Sequence, residues 1–438
     1  MTLKAGAAKI CITPQEEMFP AEYHLGNFKF SGVHDDLFVR ALVLDNGERR
    51  LAVITFDAAD MSRTEDMLDV LSARYGLLRE NVLFAATHTH EAPTFANEHH
   101  WVAGDPQRLA WVVRYGDFVV AQAAKCVGLA LGSMREAKWG YGTGKSYINV
   151  NRDQLFESGF WGRGRDFEGP SDKTLGVIKV DDLKGGKIAI VLNYAVHCLC
   201  SYTCKDESGE KYLISGDIAG RTSAYIEERY LEDGAVCLWT SGAAGNQEPI
   251  YTPVYNKLGQ DGSNHLGYSL GYASWDLCAH VSETHAVDAI RIMDGIENMR
   301  ETMKITVVDR DLALPGRRME FEIASFGPVM DKPFHGKIEE GSDVVLKLKL
   351  ITLDDLALLG NNGELYCEIG IRLKQQSPMK DLFVISHISE RAGYLPDRRG
   401  YDRHTFGFFT TNVMDGCTED YLLPAVREMY LERLKDND

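Results

Sequence analysis

The first 240 residues alternate between strand-like and helix-like segments, and this alternation constrains the fold more than any other feature. Short apolar runs bounded by turns such as Asp45–Gly47 predict strands, and longer amphipathic runs between them predict helices. This order favours an α/β or α+β fold with mixed β-sheets flanked by helices over an all-parallel sheet. The predicted strands are Phe38–Leu44, Arg50–Phe56, Val82–Ala86, Leu175–Val180, Lys187–His197 and Ala235–Thr240, and the predicted helices are Met61–Tyr75, Phe118–Leu131 and Ile218–Tyr230.

The remainder of the chain is first helical, then rich in strands, then helical again. Neither an internal repeat nor a low-complexity linker interrupts it, so we expect one domain over 1–438, with an α/β core at 1–300 and a strand-rich, then helical part at 301–438. The predicted segments are a helix over Ala273–Asn298, mostly strand over Met303–Leu359, a helix over Leu365–Gln376, a strand over Leu382–Ile388 and a closing helix over Thr418–Lys435.

The charge balance excludes several classes of protein. The 438 residues include 47 Lys and Arg against 64 Asp and Glu, a net charge of −17, which disfavours binding to nucleic acid or to an anionic membrane. The longest apolar run, Ile188–Cys200, is far shorter than the roughly 20 residues of a membrane helix. The start lacks a basic segment followed by an apolar one, and nine cysteines without regular spacing indicate reduced thiols. We therefore expect a cytoplasmic protein.

The most informative short motif is Thr87-His88-Thr89-His90, which follows a predicted buried strand. In an extended segment, two histidines at i and i+2 point the same way, so His88 and His90 can reach one ion. Two solvated loop histidines are the alternative.

A third histidine, His197, ends a very apolar predicted strand, where burial is costly without a partner. It is a candidate ligand or catalytic group, and a hydrogen-bonded core histidine is the alternative. The nearby Cys198, Cys200 and Cys204 have the spacing of a metal knuckle. Strand alternation puts Cys198 and Cys200 on the face opposite His197, so buried apolar thiols are the favoured interpretation.

Two further segments carry polar or glycine-rich patterns. Glu364 precedes a predicted helix with Glu368 one turn later, which suits either a functional carboxylate or a helix-capping one. The segment Ser241–Pro249 is a glycine-rich turn after an apolar strand, where backbone can approach a ligand closely. It lacks both the phosphate-binding loop pattern and the serine elbow pattern.

Taken in order, these motifs resemble the neutral/alkaline ceramidase-like family over nearly the whole chain. Each motif is weak alone, and their order makes the resemblance specific. The segments that carry it are Ala5–Pro14, His34–Arg40, Thr87–His90, Asn151-Arg152, Val196-His197, Ser215–Asp217, Gly242–Pro249, Gly363-Glu364 and Gly393-Tyr394.

The resemblance implies one Zn²⁺ site on a ceramidase-like scaffold. Its metal ligands, carried over motif by motif, are His88, His197, Glu364 and Tyr394. It also implies that His90 and Arg152 lie around the substrate carbonyl, with Tyr401 as the best candidate for a second pocket tyrosine. Two imidazoles and a carboxylate form an ordinary catalytic zinc set that leaves a position open for water.

The sequence also departs from the family pattern. Asn246 and Glu248 stand where ceramidases carry Asp and Ser, and Glu91 stands where a small residue is usual. Glu248 is therefore a candidate acid/base in place of the serine, provided that burial raises its pKa. Together, Glu91, Glu98 and Glu248 predict an acidic pocket for a small hydroxylated or cationic substrate, with three solvated carboxylates as the alternative.

The resulting hypothesis is a cytoplasmic zinc hydrolase acting through metal-activated water on a small polar substrate that is not ceramide. An amide, an ester or lactone, or a glycosidic bond would suit this chemistry. Two alternatives are a metal-dependent carbohydrate lyase or isomerase, with Glu248 and His90 as its acid–base pair, and a non-catalytic ligand-binding member. Neither a nucleic acid nor a membrane is expected as a partner, and a homo-oligomer is compatible with the sequence.

Overall fold

Two β-sheets lie face to face between two layers of helices. The structure is a computed structural model that describes residues 2–22, 28–96, 105–157, 159–231, 234–258, 264–320 and 336–435, with backbone alone at 254–269 and at residue 435. Glu98, one of the predicted pocket carboxylates, lies outside the described residues.

The helices of the described residues form two groups along the sequence, with a strand-rich segment between them. They are α1 (Thr64–Tyr75), α2 (Pro106–Gly132), α3 (Asp217–Arg229), α4 (Ala273–Asp294), α5 (Cys367–Gln376), α6 (Arg398–Asp402), α7 (Phe406–Thr410) and α8 (Cys417–Lys435).

The strands vary from two-residue pairings to a hairpin of long strands. They are β1 (Lys4–Cys11), β2 (Ala21–Glu22), β3 (Lys29–Val33), β4 (Phe38–Asp45), β5 (Arg50–Phe56), β6 (Val82–Ala86), β7 (Arg135–Lys145), β8 (Asn149–Leu155), β9 (Trp161–Asp166), β10 (Thr174–Asp182), β11 (Lys187–Tyr194), β12 (Tyr212–Ile214), β13 (Val236–Ser241), β14 (Gln247–Pro249), β15 (Val254–Leu258), β16 (Asn264–Ser269), β17 (Ile305–Glu320), β18 (Lys337–Leu353), β19 (Leu356–Asn361), β20 (Gly363–Leu365), β21 (Asp381–Ile385) and β22 (Gly393–Leu395).

The larger sheet has eight strands in the order β13-β11-β10-β7-β1-β4-β5-β6. Its interior pairings are antiparallel, and the two outermost pairs, β11 with β13 and β5 with β6, are parallel. The smaller sheet, β17-β18-β19-β21, likewise ends in a parallel pair, β19 with β21. The expectation of an α/β (α+β) fold with mixed sheets flanked by helices is confirmed.

A single apolar layer joins the two sheets. Alternate residues of the larger sheet, such as Leu42, Val53 and Leu238, pack against Ile351 and Phe383 of the smaller sheet. The side chains between them, such as Ala41 and Ile54, point to the other face and pack under α1 and α2. This two-residue alternation is what a sheet covered on both faces requires.

Local sequence explains where the longest helix begins. Asp105 accepts hydrogen bonds from the backbone of Gln107 and Arg108, and Pro106 occupies the first turn, so α2 starts twelve residues earlier than the predicted Phe118. Both the cap and the apolar run Leu109–Val113 that follows it were available in the sequence. Within the described residues, no helix is both long and apolar enough to cross a bilayer.

Several strands end at one edge of the molecule, where the loops that follow them meet. Strands β5, β6, β11 and β21 all end there, and their following loops are joined by parallel bridges between Met61 and Glu390 and between Thr89 and Cys198. Carboxyl ends of parallel strands are where α/β folds place their sites. The division into parts at 1–300 and 301–438 stays a prediction, although every strand of the smaller sheet follows residue 300.

Candidate metal centre

The two loops that carry the predicted ligand histidines run side by side. Thr89 and Cys198 form a parallel bridge, so the residues before them, His88 and His197, are neighbours, with ring centroids 4.7 Å apart. Both side chains are buried. Strand β11 ends at Tyr194, three residues before the predicted end, so His197 belongs to the loop rather than to the strand.

The other two predicted ligands face each other across a second parallel pair. Strands β20 and β22 are three residues long, and their register places Glu364 opposite Tyr394. Glu364 therefore lies in a strand, and the alternative of a helix-capping carboxylate is wrong, since α5 begins only at Cys367.

These four side chains converge on one point. The Oε2 atom of Glu364 lies 3.2 Å from Nε2 of His197 and 3.6 Å from Nε2 of His88. The Tyr394 hydroxyl lies 3.3 Å from Nε2 of His197. Such spacing, with nitrogen and oxygen atoms all turned inward, is suited to a shared cation.

Backbone carbonyls fix the orientation of both imidazoles. Nδ1 of His88 lies 2.5 Å from the Ala59 carbonyl oxygen, and Nδ1 of His197 lies 2.7 Å from that of Ala244. Because a carbonyl only accepts, the neutral form of each ring carries its proton on Nδ1 and turns the lone pair of Nε2 toward the centre. Outer hydrogen bonds of this kind are usual for metal-bound histidine.

The two oxygens of the Glu364 carboxylate have different surroundings. Arg391 donates from Nε to Oε1 at 2.7 Å, and its Nη2 lies 2.6 Å from the same oxygen. Oε2 is buried and has no hydrogen-bond partner among the described residues. A buried carboxylate oxygen without a donor is costly, so the donor set fits a metal ion that would occupy the space in front of it.

The pKa shifts of the candidate ligands favour binding of a cation at the centre. Burial alone would raise the pKa of Glu364, but Arg391 and the two imidazoles hold it well below its ordinary value. Burial, reinforced by Arg152, lowers the pKa of His197 to about 3, so this imidazole stays neutral. Burial raises the pKa of Tyr394 to about 12, against the opposing effect of Arg152.

His90 reaches the same centre by a different backbone path from the one predicted. His88 has a φ of 63°, so the motif makes a left-handed turn and is not an extended segment. The rings still meet, with 3.3 Å between the two Nε2 atoms. His88, His90 and His197 could also form a three-nitrogen donor set.

Arg152 and Glu248 belong to a second network behind the ligands. Arg152 on β8 is buried, with its guanidinium 5.2 Å from the centroid of the Tyr394 ring. Glu248 on β14 accepts hydrogen bonds from both Arg152 and Arg163. Burial raises the pKa of Glu248, but the two guanidiniums outweigh it and lower the pKa overall. The condition for an acid/base role of Glu248, a pKa raised by burial, is therefore not met.

Other predicted pocket residues lie elsewhere. Tyr401 on α6 is buried beside Phe408, with its hydroxyl donating to the Val413 carbonyl, and it is not among the described residues that line the cavity. Glu91 is fully buried, where it accepts a hydrogen bond from the backbone of Thr203. Burial raises the pKa of Glu91 well above its ordinary value, so the idea of a solvated carboxylate is wrong.

The cavity over the centre has a volume of about 650 Å³, within the usual range for small-molecule sites. Apolar side chains form part of its wall, and the three guanidiniums are matched by the carboxylates of Asp60, Glu364 and Glu390, so the wall is mixed in charge and not acidic as the sequence predicted. Besides the candidate ligands and His90, its wall includes Asp60, Met61, Phe95, Leu199, Tyr202, Phe406, Arg152, Arg163 and Arg391.

Sequence reasoning missed three residues at this site: Asp60, His387 and Arg391. The His387 ring stacks on His88 at 3.9 Å, and its Nδ1 lies 3.1 Å from Asp60. Asp60, His88 and His387 form a second group of side chains with metal-ligating atoms. His387 follows an apolar strand within a few residues, just as His197 does, so the same signal could have found it.

The glycine-rich turn and the cysteines serve the structure of the centre. A side chain at Gly245 would meet the Glu364 carbonyl oxygen at 2.4 Å, so glycine lets this turn pack against the strand that carries the ligand. Cys198 and Cys200 are buried and donate to backbone carbonyls. Neither belongs to a described group of possible metal ligands.

The family model for the neutral/alkaline non-lysosomal ceramidase N-terminal region matches residues 6–249, more than half of the chain. The chain belongs to this family. Its fold is similar to the crystal structure of neutral ceramidase from Pseudomonas aeruginosa, with a TM-score of 0.69 and 17% identity over 93% of this chain and 70% of that one. A ceramidase complexed with C2 matches with a TM-score of 0.70 and 18% identity, over 93% and 71%.

This ceramidase-family hydrolase therefore has the family scaffold at low sequence identity. The matched region contains His88, His90, Arg152, His197 and Glu248, whereas Glu364, Tyr394 and Tyr401 lie beyond it. Assignment of Glu364 and Tyr394 to the centre rests on their motifs and on the geometry above, whereas Tyr401 lies away from the centre.

Proposed function

We propose that the protein is a zinc-dependent hydrolase that cleaves a small polar substrate other than ceramide. The observation that carries this proposal is the convergence of His88, His197, Glu364 and Tyr394 beneath the cavity, with Oε2 of Glu364 buried and unpaired. Two nitrogen and two oxygen donors are of the types that Zn²⁺ binds, and zinc in catalytic sites can expand to five-coordinate when water or substrate joins the protein ligands. When bound, the ion supplies Lewis-acid polarisation of a carbonyl and makes water acidic near neutral pH.

The side chains of the cavity wall supply the remaining functions. His90 is half-buried and lies within hydrogen-bonding distance of His88. It is placed to take a proton from the attacking water and return it to the leaving group. Arg152 lines the cavity and remains charged beside Tyr394, where it can stabilise negative charge on the carbonyl oxygen.

Glu248 has a different role from the acid/base first considered. Its carboxylate holds Arg152 and Arg163 together, so it orients the oxyanion-stabilising arginine and does not transfer a proton itself. An amide, an ester or a lactone fits this arrangement, because each offers a carbonyl oxygen to Arg152. All nine cysteines are free thiols, which supports our proposal of a cytoplasmic location.

The first test is metal content, measured by elemental mass spectrometry on protein purified without chelator or His-tag. We expect about one zinc per chain in the parent protein, loss of zinc in His88→Ala and retention of zinc in His90→Ala. The last variant separates the proposed ligand set from the three-histidine set, because loss of zinc in His90→Ala would make His90 a ligand.

The second test follows the oxygen of the solvent. Hydrolysis in heavy-oxygen water must place one labelled oxygen in the product, and His90→Ala should slow turnover by roughly 100-fold or more as a lost proton-transfer group. An unlabelled product would favour the lyase or isomerase alternative. Absence of zinc in the parent after zinc is supplied would contradict the hydrolase and favour a ligand-binding protein.

A further inference from the structure

The cavity wall contains a guanidinium that the metal centre uses only in part. Arg391 follows β21 and directs Nε and Nη2 to Oε1 of Glu364. A guanidinium has five N–H donors in a planar fork. The structure records no hydrogen bond from Nη1 to any described residue, and 43% of the side chain is exposed. Donors therefore remain available on the cavity side.

The charges around Arg391 leave it able to bind an anion. A metal ion bound by Glu364 would share the negative charge of this carboxylate. Glu364 alone would then not neutralise the positive charge of Arg391. Glu390 accepts hydrogen bonds from Thr64 and Ser389, which fix its carboxylate at the start of α1. Asp60 is engaged by His387. These two carboxylates are thus already hydrogen-bonded, and both keep their negative charge in the cavity wall.

The second arginine pair adds positive charge to the same wall. Arg152 and Arg163 both line the cavity, and both donate to the carboxylate of Glu248. With a divalent cation in the centre, the local field favours an anionic substrate group. The same field disfavours the cationic substrate that Glu91, Glu98 and Glu248 suggested from the sequence.

Apolar side chains complete the recognition surface. Met61, Phe95, Leu199 and Phe406 line the cavity together with the arginines. A substrate that matches this wall combines an apolar group, a carbonyl for the metal centre and a carboxylate for Arg391. Because Arg391 directly contacts the ligand Glu364, the carboxylate must lie within a few bonds of the reacting carbonyl.

We propose that the substrates are N-acylated amino acids or close carboxylate-bearing analogues, and that Arg391 is the residue that selects the carboxylate. This proposal rests on the hydrolase proposed above. In the reaction the amide C–N bond breaks and the oxygen of water forms the new C–O bond. The products are a carboxylic acid and an amino acid, whose nitrogen takes up the proton.

The test compares N-hexanoylglycine with N-hexanoylglycinamide, which differ only in the carboxylate. We expect the zinc-loaded parent to have at least a tenfold higher kcat/KM for the acid. Arg391→Lys keeps the charge but loses the planar fork, so the preference should shrink. In Arg391→Gln it should fall to within about twofold, chiefly through KM, which is the signature of lost binding.

Zinc content and a matched arginine keep the test decisive. Arg372 has similar exposure and also pairs with a carboxylate, Glu419, but lies outside the cavity lining, so Arg372→Gln should keep the full preference. The carboxylate of the substrate can also bind the metal directly. The amount of zinc bound by Arg391→Lys is therefore measured together with its activity. Equal turnover of the two compounds by the parent, or an unchanged preference in Arg391→Gln, would overturn the proposal.

Binding measurements separate this proposal from the proposed function. If neither compound is hydrolysed, calorimetry still compares their affinities for the zinc-loaded parent and for the zinc-loaded Arg391→Lys variant. Preferential binding of the acid that weakens in this variant would support carboxylate selection while the hydrolase proposal fails. If the zinc-loaded parent bound the two compounds with equal affinity, that result alone would overturn carboxylate selection.

Discussion

Three of the four candidate ligands are held in place by groups outside the donor set. Carbonyls hold His88 and His197, and Arg391 holds Glu364. Behind them, Glu248 links two arginines from different strands. These outer contacts determine which atoms remain free, and therefore what the centre can bind.

Removal of the Glu248 charge should destabilise the protein. Glu248→Gln leaves Arg152 buried without its carboxylate, and we expect the free energy of unfolding to fall by about 3 kcal/mol, the lower end for a broken buried pair because Arg163 is partly exposed. Urea denaturation measures the change. Glu65→Gln, which removes an exposed partner of Arg79, should cost less than about 1 kcal/mol. Equal losses in both variants would contradict a structural role for Glu248.

Individual residues differed in how well sequence could predict them. His197 was detectable because a histidine ending an apolar strand is costly to bury, and His387 carries the same signal. Glu364 and Tyr394 required the family resemblance, because their neighbourhood depends on pairing between strands almost thirty residues apart. The pKa of Glu248 could not be predicted, since it depends on arginines from β8 and β9 meeting β14.

At the scale of elements, close contacts between backbones position the ligands. The turn after β13 packs on β20, and Gly245 donates its backbone N–H to the Leu365 carbonyl at 2.7 Å. The sequence correctly indicated a close backbone approach here, but the partner is another strand rather than a ligand.

A methyl group at Gly245 should therefore disturb the metal centre. In Gly245→Ala the new Cβ would lie 2.4 Å from the Glu364 carbonyl oxygen, and backbone must move. We expect zinc affinity, measured by competition with a chromogenic chelator, to weaken at least tenfold, with a loss of about 1–3 kcal/mol in stability from overpacking. Gly132→Ala is the control, since a Cβ there meets nothing within 4 Å. Unchanged zinc affinity in Gly245→Ala would show that β20 tolerates the shift.

A buried ion network attaches α3 to the larger sheet. Glu227 accepts hydrogen bonds from Lys9 and Arg40, and Arg40 also pairs with Asp57. Burial would raise the pKa of Glu227, but Arg40 and Lys9 lower it below its ordinary value of 4.5. The stabilisation is therefore complete above the unfolded-state pKa and is lost as pH falls through the lower folded-state pKa.

This network predicts a specific acid response. Glu227→Gln should be less stable than the parent at pH 7, and the gap should narrow as pH falls below about 4.5, because the parent then protonates as well. Denaturant midpoints measured between pH 3 and pH 7 give the comparison. A gap that stays constant across this range would mean that the Glu227 charge contributes nothing.

At the scale of the whole molecule, the candidate centre joins distant parts of the chain. The two histidines follow strands of the larger sheet, whereas Glu364 and Tyr394 follow residue 300 and lie beside the smaller sheet. The fold class followed from the alternation of segments. The face-to-face packing of the sheets did not, because no local pattern records which apolar faces will meet.

Metal binding should therefore stabilise the entire fold. Zinc at 100 times its dissociation constant should add about 2.7 kcal/mol to the free energy of unfolding and raise the melting temperature, because only the folded chain brings the ligands together. Scanning calorimetry with and without a chelator measures the shift. His88→Ala should show no response to zinc, and an equal response in that variant would place the stabilising ion elsewhere.

The parallel pairing of β20 with β22 has a consequence for how this protein can change over evolution. Three residues on each side set Glu364 opposite Tyr394, and the chain between them forms α5, β21 and their loops. Insertions in the loop between α5 and β21 can be absorbed without moving either side chain, whereas the loop after β21 carries His387 and Arg391. A slip of one residue within the pairing would turn a ligand to the opposite face. Variation in length is thus open to the loop between α5 and β21, and closed to the two short strands.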